Sequence, residues 1–506
     1  MNLFRYIKGG REELIDAFQI PYGGYNIINQ GENFIVVYLK EPIIKFSEHY
    51  KSTMFPRDFP SVRQFYTSSS KISAVLRFYY ANKNRQVIHL LESLNKLVEQ
   101  KLNFDLKIER YPVRTYQEVC KGILDALQNI SSSGSKENII IGGAIESVSV
   151  DLCENFHDKV KALSVITRVP THLIKVSKLN DIIASECEKE AEASRLHECK
   201  AYRAYILNNI VQLYAKAGGI PWIPGEEDLL RRKAIVGIAT ARMKTSDKKD
   251  YIVGVAFSIA YLGREVRGYI TAGFYDFNSL DRDFLRSRGI YVPRKTIREL
   301  ISNIAKTCGK WQINQYIIFQ SPIVHSEELE GLKEVLGHRK WILVHVKSSG
   351  FTKRVYDKKT PDWGPYRGLC ILDRDYIDVF KEKGIMKALL VATGWIKVKN
   401  TRSGVKEKYE IVPLYKATPK PLELEIYVDP QDAKNYKEPL KLATYISRVI
   451  LLLGKLDWEA YTNWPKIPFV IKYARRLAEI IAKVDKDTKE KLLKNLTSPI
   501  ELRFIM

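Results

Sequence analysis

The chain has 506 residues, 45% of them apolar, enough to bury more than one core and, at about 100–200 residues per domain, to form roughly three domains. Its 81 Lys and Arg against 58 Asp and Glu leave a formal charge of +23, which favours a polyanionic partner, nucleic acid first and an acidic membrane surface second. No apolar run approaches the ~20 residues that cross a bilayer, and residues 1–24 lack the pattern of a signal peptide, so a cytoplasmic protein is expected.

The six cysteines include no Cys-x-x-Cys pair, so neither a zinc site nor a disulfide framework is signalled, and reduced structural thiols are expected. Abundant Lys, Glu, Ile and Tyr with only five Met would suit a thermophile.

Residues 1 to about 66 hold short strand-like runs such as 34–39 and a Pro-punctuated stretch, followed by a Ser-rich break at 66–71. An alternation then begins, with strand 72–80, helix 87–100, strand 104–108, helix 115–126 and strand 139–141, which predicts an open, mostly parallel α/β sheet. Helices are expected over 150–166 and 181–217. From 234 the pattern changes to three strand-like runs, 234–241, 251–261 and 265–273, joined by short polar turns as in an antiparallel meander. Helix 294–307, buried strand 316–319, helix 327–336 and strand 341–347 follow, in the element order of an RNase H-like domain. The expected division is an amino-terminal segment 1–70, a parallel α/β domain 71–230 and an RNase H-like domain with a mixed sheet 231–506.

The stretch 202–222 is the most informative. Asn208, Gln212 and Lys216 are spaced by four, so two amides and an ammonium line one edge of a helix, suited to an anion. Ile206, Ile210, Leu213 and Ala217 form an apolar stripe that would hold the helix on a core. An ordinary solvated polar face is the alternative. The helix then halts at Gly218-Gly219-Ile220-Pro221-Trp222.

These residues carry a resemblance. The run Lys216-Ala217-Gly218-Gly219-Ile220-Pro221-Trp222 resembles the end of the MID domain of Argonaute proteins, a Lys-x-Gly-Gly-x-Pro-Trp run that closes the pocket for the guide's 5′ end. Residues 234–241 look like the first PIWI strand, Gly394 with 418–422 is similar to the later strands, and Asp457-Trp458 through 467–474 resembles the family's terminal helix, ahead of an apolar tail at 500–506. The resemblance covers roughly 70–506 and implies a short prokaryotic Argonaute. Its expected fold is a Rossmann-like MID domain plus an RNase H-like PIWI domain behind a small amino-terminal piece, without separate amino-terminal and PAZ domains.

A 5′ phosphate carries close to two negative charges, and burying it requires donors and cations converging from several segments. Three segments offer them: the Asn208, Gln212, Lys216 stripe; His157 and Lys161, four apart, where the family has a Tyr-x-x-x-Lys or His-x-x-x-Lys pair; and Thr171-His172, where many relatives carry Gln. In relatives the terminal carboxylate reaches back to this pocket, sometimes through a divalent cation. This adds Met506 to the candidates and makes Mg2+ an optional occupant.

RNase H-type cleavage uses carboxylates to hold two divalent ions about 3.5–4 Å apart. The family places its acids at three positions that here read Ala239 in Gly237-Ile238-Ala239, Ser321 after Phe319-Gln320, and Arg475 after Tyr473-Ala474. Glu479, one turn beyond Arg475, is the nearest replacement, and a guanidinium beside it repels metal ions. A PIWI domain that cradles a duplex without cutting it is therefore expected, with no cofactor required for catalysis.

Basic runs at Lys347, Lys353 and Arg354, and at Lys397, Lys399, Arg402, Lys406 and Lys408, suit backbone contacts along such a duplex. The resemblance implies an RNA guide, a DNA target, and an associated protein that supplies the missing amino-terminal lobe or an effector in antiviral defence. The rival expectations are an endonuclease with unorthodox metal ligands and a non-specific basic nucleic-acid binding protein.

Overall fold

The computed structural model describes residues 2–8, 11–17, 25–30, 34–46, 51–52, 72–101, 104–133, 138–146, 155–187, 196–244, 250–262, 265–287, 290–337, 339–348, 355–357, 364–399, 409–412, 421–434, 439–459, 467–496 and 502–504. Met506, Lys353, Arg354, Arg402, Lys406, Lys408 and the stretch 418–420 lie outside them.

Among the strands that precede the first sheet are β1 (Tyr25–Gln30) and β2 (Phe34–Leu39). That sheet comprises β3 (Ile72–Ala81), β4 (Phe104–Val113), β5 (Ile139–Ile145) and β6 (Thr171–Lys175), in the order β6-β5-β3-β4 with every pair parallel. Along β3, Ala74, Leu76, Phe78 and Tyr80 are buried at every second residue, as a strand with one face on a core requires. Helix α1 (Arg85–Lys101) buries Val87, Leu90, Leu91, Leu94 and Val98 at helical spacing, and Asn84 Oδ1 accepts from the Val87 amide at its start.

On the opposite face, α2 (Tyr116–Ser133) and α3 (Phe156–Thr167) pack through Val119, Ile123, Leu127, Val160 and Leu163. The helix expected over 181–217 is two helices, α4 (Val176–Glu186) and α5 (Lys200–Lys216). A disulfide joins Cys187 to Cys199 across that break, with Cα atoms 5.6 Å apart, which corrects the expectation of reduced cysteines throughout. One continuous helix would have set these Cα atoms about 18 Å apart, at about 1.5 Å rise per residue, so the break and the disulfide were missed together. Cys120, Cys308 and Cys370 are buried thiols.

The second sheet has ten strands. Its meander is β7 (Lys233–Lys244), β8 (Asp250–Leu262) and β9 (Glu265–Asp276). Helix α6 (Arg294–Lys310), β10 (Gln315–Gln320), helix α7 (Ser326–Leu336) and β11 (Lys340–Ser348) follow, then β12 (Leu369–Asp373), β13 (Ile385–Leu390) and β14 (Leu422–Tyr427). The order is β9-β8-β7-β10-β11-β14-β13-β12-β2-β1, with β7, β10 and β11 parallel and the other neighbours antiparallel. The amino-terminal strands β1 and β2 thus extend the far edge of this sheet.

Helices α6 and α7 cover one face, with Ile297, Leu300, Ile304 and Leu332 against Val236, Ile238 and Ile318. The other face receives α8 (Pro439–Lys455) and α9 (Phe469–Lys483), ahead of α10 (Lys486–Leu496). This second core is continuous with the first sheet's: one buried cluster runs from Leu76 and Phe78 through Tyr214 and Trp222 to Phe257, Leu451 and Tyr473. The architecture is therefore α/β throughout, a parallel four-stranded sheet joined to a mixed ten-stranded one.

Candidate nucleic-acid interface

The seam between the two sheets gathers charge. Helix α5 ends in a Schellman motif: the Gly219 amide donates to Tyr214 O and the Gly218 amide to Ala215 O, both at 3.0 Å. The turn needs Gly218, whose φ of +91° lies in the left-handed region. The chain then delivers Trp222, fully buried, whose Nε1 donates to Lys455 O at 2.8 Å. Lys455 Nζ in turn meets Glu41 at 3.0 Å, tying down the end of α8 just before Asp457 and Glu459.

Three of the sequence candidates converge here. Lys161 on α3, His172 on β6 and Lys216 on α5 are 4%, 2% and 3% exposed, so the polar edge of α5 faces inward rather than into water. His172 Nε2 is 2.9 Å from Asn209 Oδ1, and Lys216 Nζ is 3.2 Å from His172 Nδ1. The Asn209 amide nitrogen donates to Tyr205 O at 2.8 Å, so its oxygen is the acceptor, His172 carries its proton on Nε2, and Nδ1 is left to accept from Lys216. Burial, with the Lys216 charge beside it, pushes the His172 ring well below its ordinary value, in agreement with that neutral form. His172 therefore aims Lys216.

The neighbours complete the site. Lys161 Nζ lies 3.5 Å from Thr171 O, while the buried Thr171 hydroxyl has no hydrogen-bond partner among the described residues. Gln212 donates to Glu459 O at 3.2 Å. Asn208 is half-buried, and it is Asn209 that enters the network, for a geometric reason: at about 100° per residue, seven residues bring Asn209 back nearly over Lys216, whereas eight leave Asn208 about 80° away. His157, half-exposed, lies with Nε2 3.2 Å from Arg476 Nη2.

Three residues that the sequence reading passed over are central. Arg476 Nη1 donates to both Glu459 oxygens, at 2.9 and 3.0 Å, and Lys472 Nζ is 3.1 Å from Glu459 Oε2 and 2.8 Å from Asp457 Oδ2. Burial pushes the Glu459 carboxyl up, but Arg476, Lys472, Lys161 and Lys216 together outweigh it and hold it far below the usual carboxylate range. Burial pushes Lys216 down to about 8, and burial with repulsion from Lys216 and Arg476 takes Lys161 well below its ordinary value. No spacing in the sequence links 459 and 476 to 161 and 216; only the packing of α9 against the first domain does.

As for a metal here, ammonium and guanidinium groups crowd the position, and Glu459 is already engaged by Arg476 and Lys472. This donor set does not fit Mg2+, which takes oxygen ligands. Among the described residues no group of three His, Cys, Asp or Glu is placed to hold a metal ion.

A second set of candidates meets where the parallel pairing of β7 with β10 ends. The Ser321 amide donates to Ile238 O at 3.2 Å, next to Ala239, and Arg475 on α9 donates to Ser321 Oγ at 2.7 Å. Arg475 and Glu479 are exposed, whereas Ala239 is 1% exposed. Lys347 is exposed on β11, and Lys397 and Lys399 lie on the short strand Ile396–Lys399.

A parallel four-stranded α/β domain joined to a mixed RNase H-like sheet is the architecture of the MID and PIWI domains of Argonaute. Solved structures of that class match the chain. Argonaute of A. aeolicus aligns at a TM-score of 0.55 and 15% identity over 88% of this chain and 53% of its own. Drosophila Piwi aligns at 0.56 and 14% over 93% and 56%. A complex of the A. aeolicus protein with externally bound siRNA aligns at 0.56 and 12% over 98% and 57%. The chain thus spans a little over half the length of the structures it matches, and at this identity the likeness is one of fold. No family model and no curated protein matches the sequence. Among the described residues no helix is long and apolar enough to cross a membrane.

Proposed function

We propose that the protein binds a short guide strand by its 5′ phosphate at the seam of the two domains and holds a complementary target across the PIWI sheet without cutting it. The observation that carries this reading is the convergence of Lys161, Lys216 and Arg476, from three separate helices, on one mostly buried site next to the Thr171 hydroxyl, which has no partner among the described residues. Burying three cations together is costly unless an anion comes to meet them. The siRNA bound in one of the matching structures is of the right chemical class for such an anion.

Absence of cutting is part of the same proposal, and what supports it is the side chains at Ala239, Ser321 and Arg475: alanine, serine and arginine supply no carboxylate for a pair of metal ions. With no scission, target capture would be read out through conformation, by an associated effector protein in prokaryotic defence. RNA is the proposed guide and DNA the proposed target.

The test compares one RNA guide carrying either a 5′ phosphate or a 5′ hydroxyl. Each charge-assisted bond contributes about 1.5–3 kcal/mol, so Lys216→Ala should weaken binding of the phosphorylated guide tenfold or more and leave the hydroxyl guide nearly unchanged. Equal loss for both guides, with steep salt dependence, would instead establish non-specific binding by charge. Nuclease typing and sequencing of co-purified nucleic acid would identify the guide; short strands with uniform 5′ ends are expected.

A further inference from the structure

Glu459 is out of place in a phosphate pocket unless it has a task there. Its side chain is 14% exposed. Its amide donates to Asp457 Oδ1 at 3.2 Å, its carbonyl accepts from Gln212, and its carboxylate straddles Arg476 Nη1 while meeting Lys472. The Lys161 and Lys216 charges act on it as well. A carboxylate carries its charge on two oxygens, much as a phosphate carries its charge on three, and both accept from the planar donor fork of an arginine.

We propose that Glu459 is the specificity-determining residue of this pocket: its carboxylate holds the place of a ligand anion and yields Arg476 and the two lysines only to a doubly charged terminal phosphate monoester. The inference rests on the guide-end reading above. Its logic is competitive. A hydroxyl end brings no charge, and a phosphodiester brings one, which is no more than Glu459 already supplies from within the chain. A terminal monoester brings close to two and has one more oxygen to share among Arg476, Lys161 and Lys216. When it enters, Lys472 keeps Asp457 as its partner, so the displaced carboxylate does not leave that cation without one.

The competition fixes the sign of a mutation. If Glu459 occupies the anion's place, Glu459→Gln removes the competitor and tightens phosphorylated-guide binding. If Glu459 merely orients Arg476 and Lys472, the same change loosens it. The full-length protein is titrated with one RNA guide in 5′-phosphate and 5′-hydroxyl forms, as wild type, Glu459→Gln and Lys216→Ala. For Glu459→Gln the phosphorylated guide should bind about tenfold tighter, with the hydroxyl guide within about twofold of wild type. Unchanged or weaker binding of the phosphorylated guide, while wild type still prefers the phosphate and Lys216→Ala still loses it, overturns this inference and leaves the pocket reading standing. A wild type indifferent to the phosphate overturns the pocket reading itself.

A melting experiment keeps the inference testable where the variant is too unstable to titrate. Guide-free Glu459→Gln, left with unneutralised buried cations, should melt below wild type and be raised by millimolar inorganic phosphate by more than wild type is. Equal phosphate shifts in the two proteins count against it.

Discussion

Arg475 donates to Ser321 at 2.7 Å, so two of the positions where the sequence expects missing catalytic acids are bonded to one another. The third, Ala239, follows Ile238, whose carbonyl receives the Ser321 amide. Three residues spread from 239 to 475 are thus neighbours where the parallel pairing of β7 with β10 ends, at Ile238 and Gln320, against α9. The expected outcome is that purified protein loaded with a guide leaves a matched target intact in both Mg2+ and Mn2+. Products that depend on metal and vanish in Glu479→Ala would establish the rival endonuclease.

The pH dependence of guide binding follows from the buried lysines. Lys216 faces Lys161 from α3, His172 from β6, Glu459 from the loop after α8 and Arg476 from α9, with His157 beyond Arg476. Its value near 8 in the guide-free protein means that it begins to lose its proton just above neutrality. An arriving phosphate favours the protonated form, so binding takes up protons and weakens as pH rises through about 8. On the acid side the phosphate itself drops to a single charge below about 6. The affinity advantage of a phosphorylated over a hydroxyl guide should therefore peak between these limits. A flat ratio from roughly pH 6 to 9.5 would dissociate Lys216 from the phosphate.

Much of this was legible in the sequence because local rules act locally. Lys161 and Lys216 stand out from helical spacing and a glycine-ended turn, and the alternation of strands and helices gives three strands of the first sheet, though not Thr171–Lys175, and the meander that opens the second. What was not legible depends on packing between distant segments. Asn209 displaces Asn208 because the inward direction of α5 is set by its neighbours, not by its own pattern; nine of its side chains are buried, around most of its circumference. Glu459 and Arg476 belong to the site only because Trp222 pins the end of α8 and α9 lies across the seam. A charged residue beside Trp458 and a second arginine after Arg475 were visible, but nothing in the sequence says which way they face.

The Cys187–Cys199 disulfide closes the connection between α4 and α5, the helix that carries Asn209, Gln212 and Lys216. The bond spans a sequence separation of 12, and closing a loop of that size in the unfolded chain is worth about 3 kcal/mol. Reduction, or Cys187→Ser, should lower the melting temperature by several degrees. Because the lysine sits at the far end of α5 from Cys199, guide affinity should change much less than stability does. A loss of phosphate preference on reduction would show that the helix position, not only its stability, depends on the bond.

Gly237 tests how closely α9 is seated on β7. A β-carbon built at this position comes 2.2 Å from the Val470 carbonyl carbon and 2.6 Å from the Ile471 amide nitrogen, both backbone atoms that no side-chain rotation can move aside. Gly237→Ala must push the start of α9 outward, and overpacking of this kind costs about 1–3 kcal/mol. Gly309 is exposed in the last turn of α6, where an added β-carbon meets nothing within 4 Å, and it serves as the control: Gly309→Ala should hold or raise stability by up to about 1 kcal/mol. Helix α9 also carries Lys472, Arg475 and Arg476, so displacement by Gly237→Ala should reach the pocket as well. Phosphorylated-guide affinity should fall in Gly237→Ala and stay at the wild-type level in Gly309→Ala. If Gly237→Ala melts lower but binds the phosphorylated guide as wild type does, Arg476 is not the contact its position implies.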